Sequence, residues 1–276
     1  MANSKAVFNN LKSQLINVDP DEAHAIGLLL MEKFCGVSLT GILAEKEIEP
    51  FDFSSLVERI NSHEPIQYIL GEADFFGRKF AVNRHTLIPR PETELIIHEV
   101  LRTKIKEPVI LDVGTGSGCI AISLTKEIPG ATIFAVDIST GALEVAKENA
   151  RKHQASVTFI SSDFLKTDLD VEPLDWIVSN PPYVRELEKK AMERNVLNFE
   201  PHNALFVPDN DPLLFYKAIA AKGKTLLKPS GKIAVEINAQ FGPEVKKLFD
   251  DLGFIKTKII KDLDGKDRIV CAERST

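Results

Sequence analysis

The chain has 276 residues, about two domains' worth at a typical ~150 residues each. At 44% hydrophobic and 27% charged it is not disordered, collagen-like or coiled-coil, and it can bury a large core without disulfide staples. Lys plus Arg is 34 against 40 for Asp plus Glu, a formal net charge of −6, which argues against wrapping nucleic acid through clustered cations but leaves room for a small basic site.

Up to Gly71 the chain reads as helices alone. Apolar residues recur at helical spacing in Val7, Leu11 and Leu15 and again in Ala23, Ile26, Leu29, Leu30 and Phe34. Asp19-Pro20 reads as a helix start and Gly36 as its stop, with another helix from about Ser54 to His63. This stretch is a small helical bundle or a docking surface for a partner. From Ala73 to Arg84, two short aromatic and β-branched runs flank Gly77-Arg78 and predict a β-hairpin, a natural linker between differently built regions.

From Pro91 strands and helices alternate. Helices are predicted over 92–104, 141–153, 212–227 and 243–252, besides one opened by a Gly-rich turn. Strands are predicted over 109–113, 132–137, 157–160, 176–179, 232–237, 254–260 and 268–273. Such alternation implies an α/β, Rossmann-like fold with an open, mostly parallel seven-stranded sheet and helices on both faces. Asp264-Gly265 is a turn signal, so the closing strand pair is antiparallel. The expected organisation is a helical domain over 1–71, a hairpin linker over 72–90 and a larger α/β domain over 91–276.

Cys35, Cys119 and Cys271 are far apart, odd in number and without paired metal spacing, so they read as reduced, buried thiols of a cytosolic protein that binds no metal. The N-terminal MANSKAVFNNLKSQL lacks the apolar stretch of a secretory signal. The longest clearly apolar run, Ala25 to Met31, is far short of the ~20 residues of a membrane helix. The expectation is a soluble, cytoplasmic protein with no membrane partner. The six histidines show no ligand spacing and read as surface or satisfied core, and the cations of KGKTLLKPSGK as the solvated end of a helix.

Gly114-Thr115-Gly116-Ser117-Gly118 closes the first strand of the sheet, directly after Asp112-Val113, and opens a helix. There, glycines let backbone approach a ligand and free helix N–H groups face it. Asp137 ends the next strand, about 20 residues on, where a carboxylate can accept from both ribose hydroxyls. An adenosine-containing ligand is expected. The dinucleotide pattern wants a third Gly where Cys119 stands, and no Gly-Lys-Ser/Thr follows to make a P-loop. G-x-G-x-G suits the S-adenosylmethionine site of methyltransferases better, since that ligand has no pyrophosphate to cradle. A plain tight turn is the competing reading. Asp163, after the third strand, could take the adenine amine and Phe164 could cover the ring; a capping Asp and a core Phe are the alternative.

The fourth strand runs into Asn180-Pro181-Pro182-Tyr183, where two prolines end the sheet and stiffen the loop beside the cofactor crevice. A planar NH₂ conjugated to a π system is a poor nucleophile because its lone pair is delocalised. The Asn180 side-chain oxygen and the Pro181 carbonyl can accept its two hydrogens, and Tyr183 can stack on the flat substrate. The implied reaction is an in-line methyl transfer to nitrogen that works by positioning rather than by a strong base.

DVGTGSG, VDIS, SSD and NPPY in this order resemble class I amino-methyltransferases. IPRPETE (88–94) behind the FFG hairpin, Phe199-Glu200-Pro201 with Ala204-Leu205, and the late GKDR segment resemble the peptide chain release factor glutamine N5-methyltransferases over nearly the whole chain. The resemblance implies methylation of the side-chain amide of the Gln in the Gly-Gly-Gln loop of class I release factors, with S-adenosylhomocysteine as co-product and no stable nucleic-acid partner. It implies cofactor contacts at Gly114, Thr115, Gly116, Ser117, Gly118, Asp137 and Asn180, and substrate contacts at Asn180, Pro181, Pro182 and Tyr183. It also implies that the helical domain contacts the release factor. Members often carry Trp where this chain has Phe164; either aromatic covers adenine. Arg90, stiffened between two prolines, could line the site or meet the cofactor carboxylate, or pair with Glu92 or Glu94. A DNA adenine N6-methyltransferase is the alternative, because adenine also offers a conjugated NH₂.

Overall fold

In the computed structural model, which describes Met1–Thr276, the chain divides into two units. One comprises Met1–Glu72 with Glu193–Phe199, the other Ala73–Met192 with Glu200–Thr276. The first unit opens with strand β1 (Ala2–Asn3) and helices α1 (Ser4–Gln14), α2 (Pro20–Cys35) and α3 (Leu39–Leu43). Strand β2 (Glu47–Ile48), antiparallel to β1, and helices α4 (Ser54–Asn61) and α5 (Ile66–Leu70) follow. Helix α2 begins where the Asp19 side chain accepts from the Asp21 N–H, with Pro20 at its first position. It ends at Gly36, whose φ of 62° reverses the chain. Phe8, Leu11, Leu30, Met31 and Ile60 form this unit's core.

Strands β3 (Glu72–Phe75) and β4 (Arg78–Ala81) form the predicted hairpin. Phe76 and Gly77, at φ 47° and 68°, give it the left-handed two-residue turn that suits strand twist. The hairpin is more than a linker, because Phe75 and Phe80 are buried with Ile96 and Ile110 in the core of the larger unit.

A 3₁₀ turn (Pro91–Thr93) leads into α6 (Glu94–Arg102). Then come β5 (Val109–Val113), α7 (Cys119–Glu127), β6 (Thr132–Asp137), α8 (Thr140–His153), β7 (Thr158–Ser161) and β8 (Leu174–Ser179). Short pieces follow: β9 (Val184–Arg185), α9 (Arg194–Phe199) and β10 (Phe206–Val207), which runs parallel to β9. Helix α10 (Leu214–Leu226), β11 (Leu227–Glu236), α11 (Gly242–Asp251), β12 (Phe254–Lys261) and β13 (Asp267–Arg274) complete the chain.

The seven-stranded sheet has the order β12-β13-β11-β8-β5-β6-β7. The five strands from β11 to β7 are parallel, and β13 joins antiparallel between β11 and β12. All five residues of β5 are buried because helices cover both faces. Along β5, Ile110 packs with Ile96 of α6 and Ile120 of α7, whereas Val109, Leu111 and Val113 pack with Ile219 of α10 and Phe249 of α11. From β5 the chain winds outward to β6 and β7, then returns to the other side of β5 as β8. The switch point therefore lies between β5 and β8, where open α/β sheets place ligands. Strand β11 starts at Leu227 rather than Lys232, with a shift in its pairing to β8 between those residues.

Candidate active site

Two loops meet at the switch point. In the sheet register Val113 stands beside Ser179, so Gly114 and Asn180 are the next residues on adjacent strands. The Ser179 hydroxyl donates to the Val113 carbonyl at 2.7 Å and ties the strand ends together. Gly114 and Gly116 have φ of 71° and 55°, and a Cβ on either would meet nothing within 4 Å, so both backbones open onto free space. Gly118 differs: a Cβ there would stand 3.0 Å from Ile122 Cδ1 and 3.2 Å from Ala146 Cβ, so this glycine serves close packing of α7 on α8.

Asp137, at the end of β6, braces the glycine turn. Its Oδ2 accepts from the Gly116 N–H and its Oδ1 from the Ser139 N–H, both at 2.9 Å. Burial raises its pKa against those donors. Asp112, wholly buried, accepts from the Thr115 hydroxyl at 2.7 Å through Oδ2, while Oδ1 has no partner. Burial pushes its carboxyl up to about 7.

The two loops border one cavity of about 370 Å³. Gly114, Thr115, Gly116, Ser117, Asp137, Asp163, Phe164, Asn180, Pro181 and Pro182 all lie on its wall. Gly118 does not, for the packing reason above. Asp163 reaches the wall and also acts as a local cap: it accepts from the Leu165 N–H and pairs with Lys166, which lowers its pKa. Phe164 is buried among the core residues, as one reading has it, and also borders the cavity.

Tyr183 departs from the expected stacking on substrate. It is off the cavity wall, its ring packs against the core, and its hydroxyl donates to Glu236 Oε1 at 3.0 Å. Burial and the Glu236 charge raise its pKa well above the usual phenol value. The same carboxylate accepts from the Thr93 hydroxyl at 2.5 Å, and Thr93 Oγ1 accepts from Asn180 Nδ2 at 3.1 Å. Glu236 is 2% exposed. Burial raises its pKa; the Thr93 and Tyr183 hydrogen bonds and the Arg268 charge oppose that rise.

Arg90 is also off the wall and pairs with neither Glu92 nor Glu94. Glu94 accepts from the Phe76 N–H, and Glu92 lies 3.8 Å from Arg268. Arg90 instead binds Glu200 Oε1 at 2.5 Å, while Glu200 Oε2 accepts from the Ile88 N–H at 3.1 Å. The IPRPETE and Phe-Glu-Pro segments are thus two halves of one clasp. Sequence reasoning also missed His85, Thr93, Ile138, Phe206 and Phe215 on the wall. His85, read as surface or core, packs on Gly141, where a Cβ would stand 2.7 Å from its ring. Ile138 had a visible signal, a large apolar residue just past a strand-ending carboxylate; it is 59% exposed. No group of three or more His, Cys, Asp or Glu residues is arranged to hold a metal ion.

Comparison with known proteins agrees with this geometry. Residues 91–200 match the family described as Methyltransferase small domain, and residues 6–71 match the PrmC N-terminal domain. The chain is 39% identical to the release factor glutamine methyltransferase of Flavobacterium psychrophilum, over 96% of this chain and 98% of that one. It is 43% identical to the protein of that name from Bacteroides thetaiotaomicron, over 92% and 94%. A methyltransferase crystal structure from Pyrococcus furiosus shares the fold at a TM-score of 0.54 and 18% identity, over 81% of this chain and all of that one. The chain belongs to the release factor glutamine methyltransferase family.

Proposed function

We propose that this protein transfers a methyl group from S-adenosylmethionine to the side-chain amide nitrogen, N5, of the glutamine in the Gly-Gly-Gln loop of class I peptide chain release factors. The observation that carries the proposal is the meeting of Gly114 and Asn180, from adjacent strands, on one cavity at the switch point. Family membership points the same way, since the relatives are named for methylating release factor glutamine.

The cavity fits the cofactor. Gly114 and Gly116 leave a cradle that side chains would fill, and the buried Ser117 and Ser162 hydroxyls on the wall have no protein partner. Asp137, Ile138, Asp163 and Phe164 line the cavity; in this reading Asp137 takes the ribose hydroxyls, Ile138 and Phe164 the faces of the base, and Asp163 its amine. When bound, S-adenosylmethionine supplies a methyl group activated by a sulfonium centre.

The chain's own residues orient the nucleophile. Asn180 Nδ2 is committed to Thr93, which leaves Oδ1 to accept from the substrate amide. The Pro181 carbonyl takes the second hydrogen, and the prolines hold both acceptors in a fixed relation. With both hydrogens held, the amide nitrogen faces along the line of attack, and its surplus proton leaves to solvent after transfer. Tyr183 braces the loop through Glu236 rather than covering the substrate.

The helical unit, with Leu43 at 67% and Leu39 at 46% exposure, is the docking surface for the release factor. A reaction on the translation machinery puts the protein in the cytoplasm; no helix is long and apolar enough to cross a membrane. The test is incubation with labelled S-adenosylmethionine and a class I release factor. Label on the glutamine is expected. Its absence while the cofactor demonstrably binds would contradict the proposal, and label on DNA adenine instead would favour the alternative.

A further inference from the structure

The Asn180 amide must present oxygen, not nitrogen, to the substrate. The two ends of a primary amide are nearly the same size, and a half-turn of the group would replace the acceptor with a donor. Its partner Thr93 cannot prevent this alone, because a hydroxyl both donates and accepts. What breaks the symmetry lies one bond further on. The Thr93 hydroxyl donates to Glu236 Oε2 at 2.5 Å, so its lone pairs face Asn180 Nδ2 at 3.1 Å. With the Arg268 charge and two hydroxyl donors favouring its ionised form against burial, the carboxylate only accepts, and its other oxygen accepts from Tyr183 at 3.0 Å. Glu236 is itself held in place: it ends β11, and its backbone carbonyl accepts from the buried Tyr216 hydroxyl at 3.1 Å.

We propose that Glu236 is a positioning residue that sets the direction of the hydrogen-bond chain Asn180–Thr93–Glu236 and so fixes the Asn180 oxygen toward the substrate. The inference rests on the reaction proposed above. It gives Thr93, in the IPRPETE segment, a role: Thr93 relays the polarity of a carboxylate 143 positions away in sequence to the catalytic loop. It also explains the burial of Tyr183, which occupies the second carboxylate oxygen and keeps it from other donors.

The test uses the full chain, a class I release factor and S-adenosylmethionine. Wild-type protein that leaves the glutamine unmodified overturns the underlying reaction, and this inference with it. With wild-type activity established, T93V keeps the shape and removes the relay, so kcat falls on the order of 10²-fold. Cofactor affinity and the KM for the release factor stay within about threefold. T93S restores the hydroxyl and recovers most of the rate. A second pair of variants reads the carboxylate. E236L removes the acceptor altogether, so kcat falls; in T93V/E236L the rate falls no further than in the slower single variant, because both residues act through one chain. Equal loss in T93V and T93S, or a wild-type kcat in T93V, overturns the proposal. So does a T93V/E236L variant clearly slower than either single variant, because a purely structural role makes the two losses add.

Discussion

In the proposed mechanism Asn180 carries the heaviest chemical demand placed on any one side chain. The residue lines the cavity and its Nδ2 donates to Thr93, so under the proposed mechanism its value lies in the remaining amide oxygen. Replacing it with Ala should lower the methylation rate on the order of 10²- to 10³-fold, the scale seen when one fixed polar contact to a reacting group is removed. Titration with S-adenosylmethionine should show that cofactor binding largely survives; an unchanged rate would contradict the mechanism.

Asp112 makes a different kind of prediction, about stability. Its pKa rises from 3.8 to about 7 on folding because burial opposes its charge. The folded chain therefore binds this proton more tightly than the unfolded chain, and stability falls as pH rises from about 4 to about 7. The loss is on the order of 4 kcal/mol. Urea denaturation without cofactor should show a flatter pH dependence for Asp112→Asn than for wild type, and parallel curves would contradict this assignment.

Among the elements, the loops after β5 and β8 matter most, and the clasp between Arg90 and Glu200 comes next. The Glu200 side chain is 1% exposed and that of Arg90 33%, so removing the arginine strands a buried carboxylate. Arg90→Ala should cost about 2 kcal/mol, below the range for fully buried pairs because Arg90 is partly solvated. Glu200→Gln in the same chain should return much of that loss, because a neutral amide needs no counter-charge. Thermal denaturation of the single and double variants decides it; a double variant no more stable than Arg90→Ala refutes the clasp.

The elements differed in how far they could be read from sequence. Strands β5, β6 and β8 were legible because central strands covered on both faces leave unbroken apolar runs, and the turns after them carry Gly or Pro. The stretch after the Asn-Pro-Pro-Tyr loop was not, since β9 and β10 are two residues each and leave no period to detect. At the site, the glycine turn, Asp137 and Asn180 were legible because each is tied to a strand end. Thr93, Glu236 and Glu200 were not: Glu200 meets Arg90 from 110 residues away, and Thr93 meets Glu236 from 143 and Asn180 from 87. For Arg90 the sequence offers the site, the cofactor carboxylate or the neighbouring Glu92 and Glu94, whereas the fold supplies the distant Glu200.

For the whole molecule, the division into a helical unit and an α/β unit separates the chemistry from the rest of the chain. The cavity and the two loops that border it after β5 and β8 belong to the larger unit. The net charge of −6 suits a protein substrate presenting a neutral amide better than a duplex presenting phosphates. The most direct measurement is mass spectrometry of a class I release factor after incubation with this protein and S-adenosylmethionine. The account predicts one added methyl group on the side chain of the Gly-Gly-Gln glutamine, and none when Asn180→Ala protein is used. An unmodified glutamine, or a methyl group on any other residue, would contradict it.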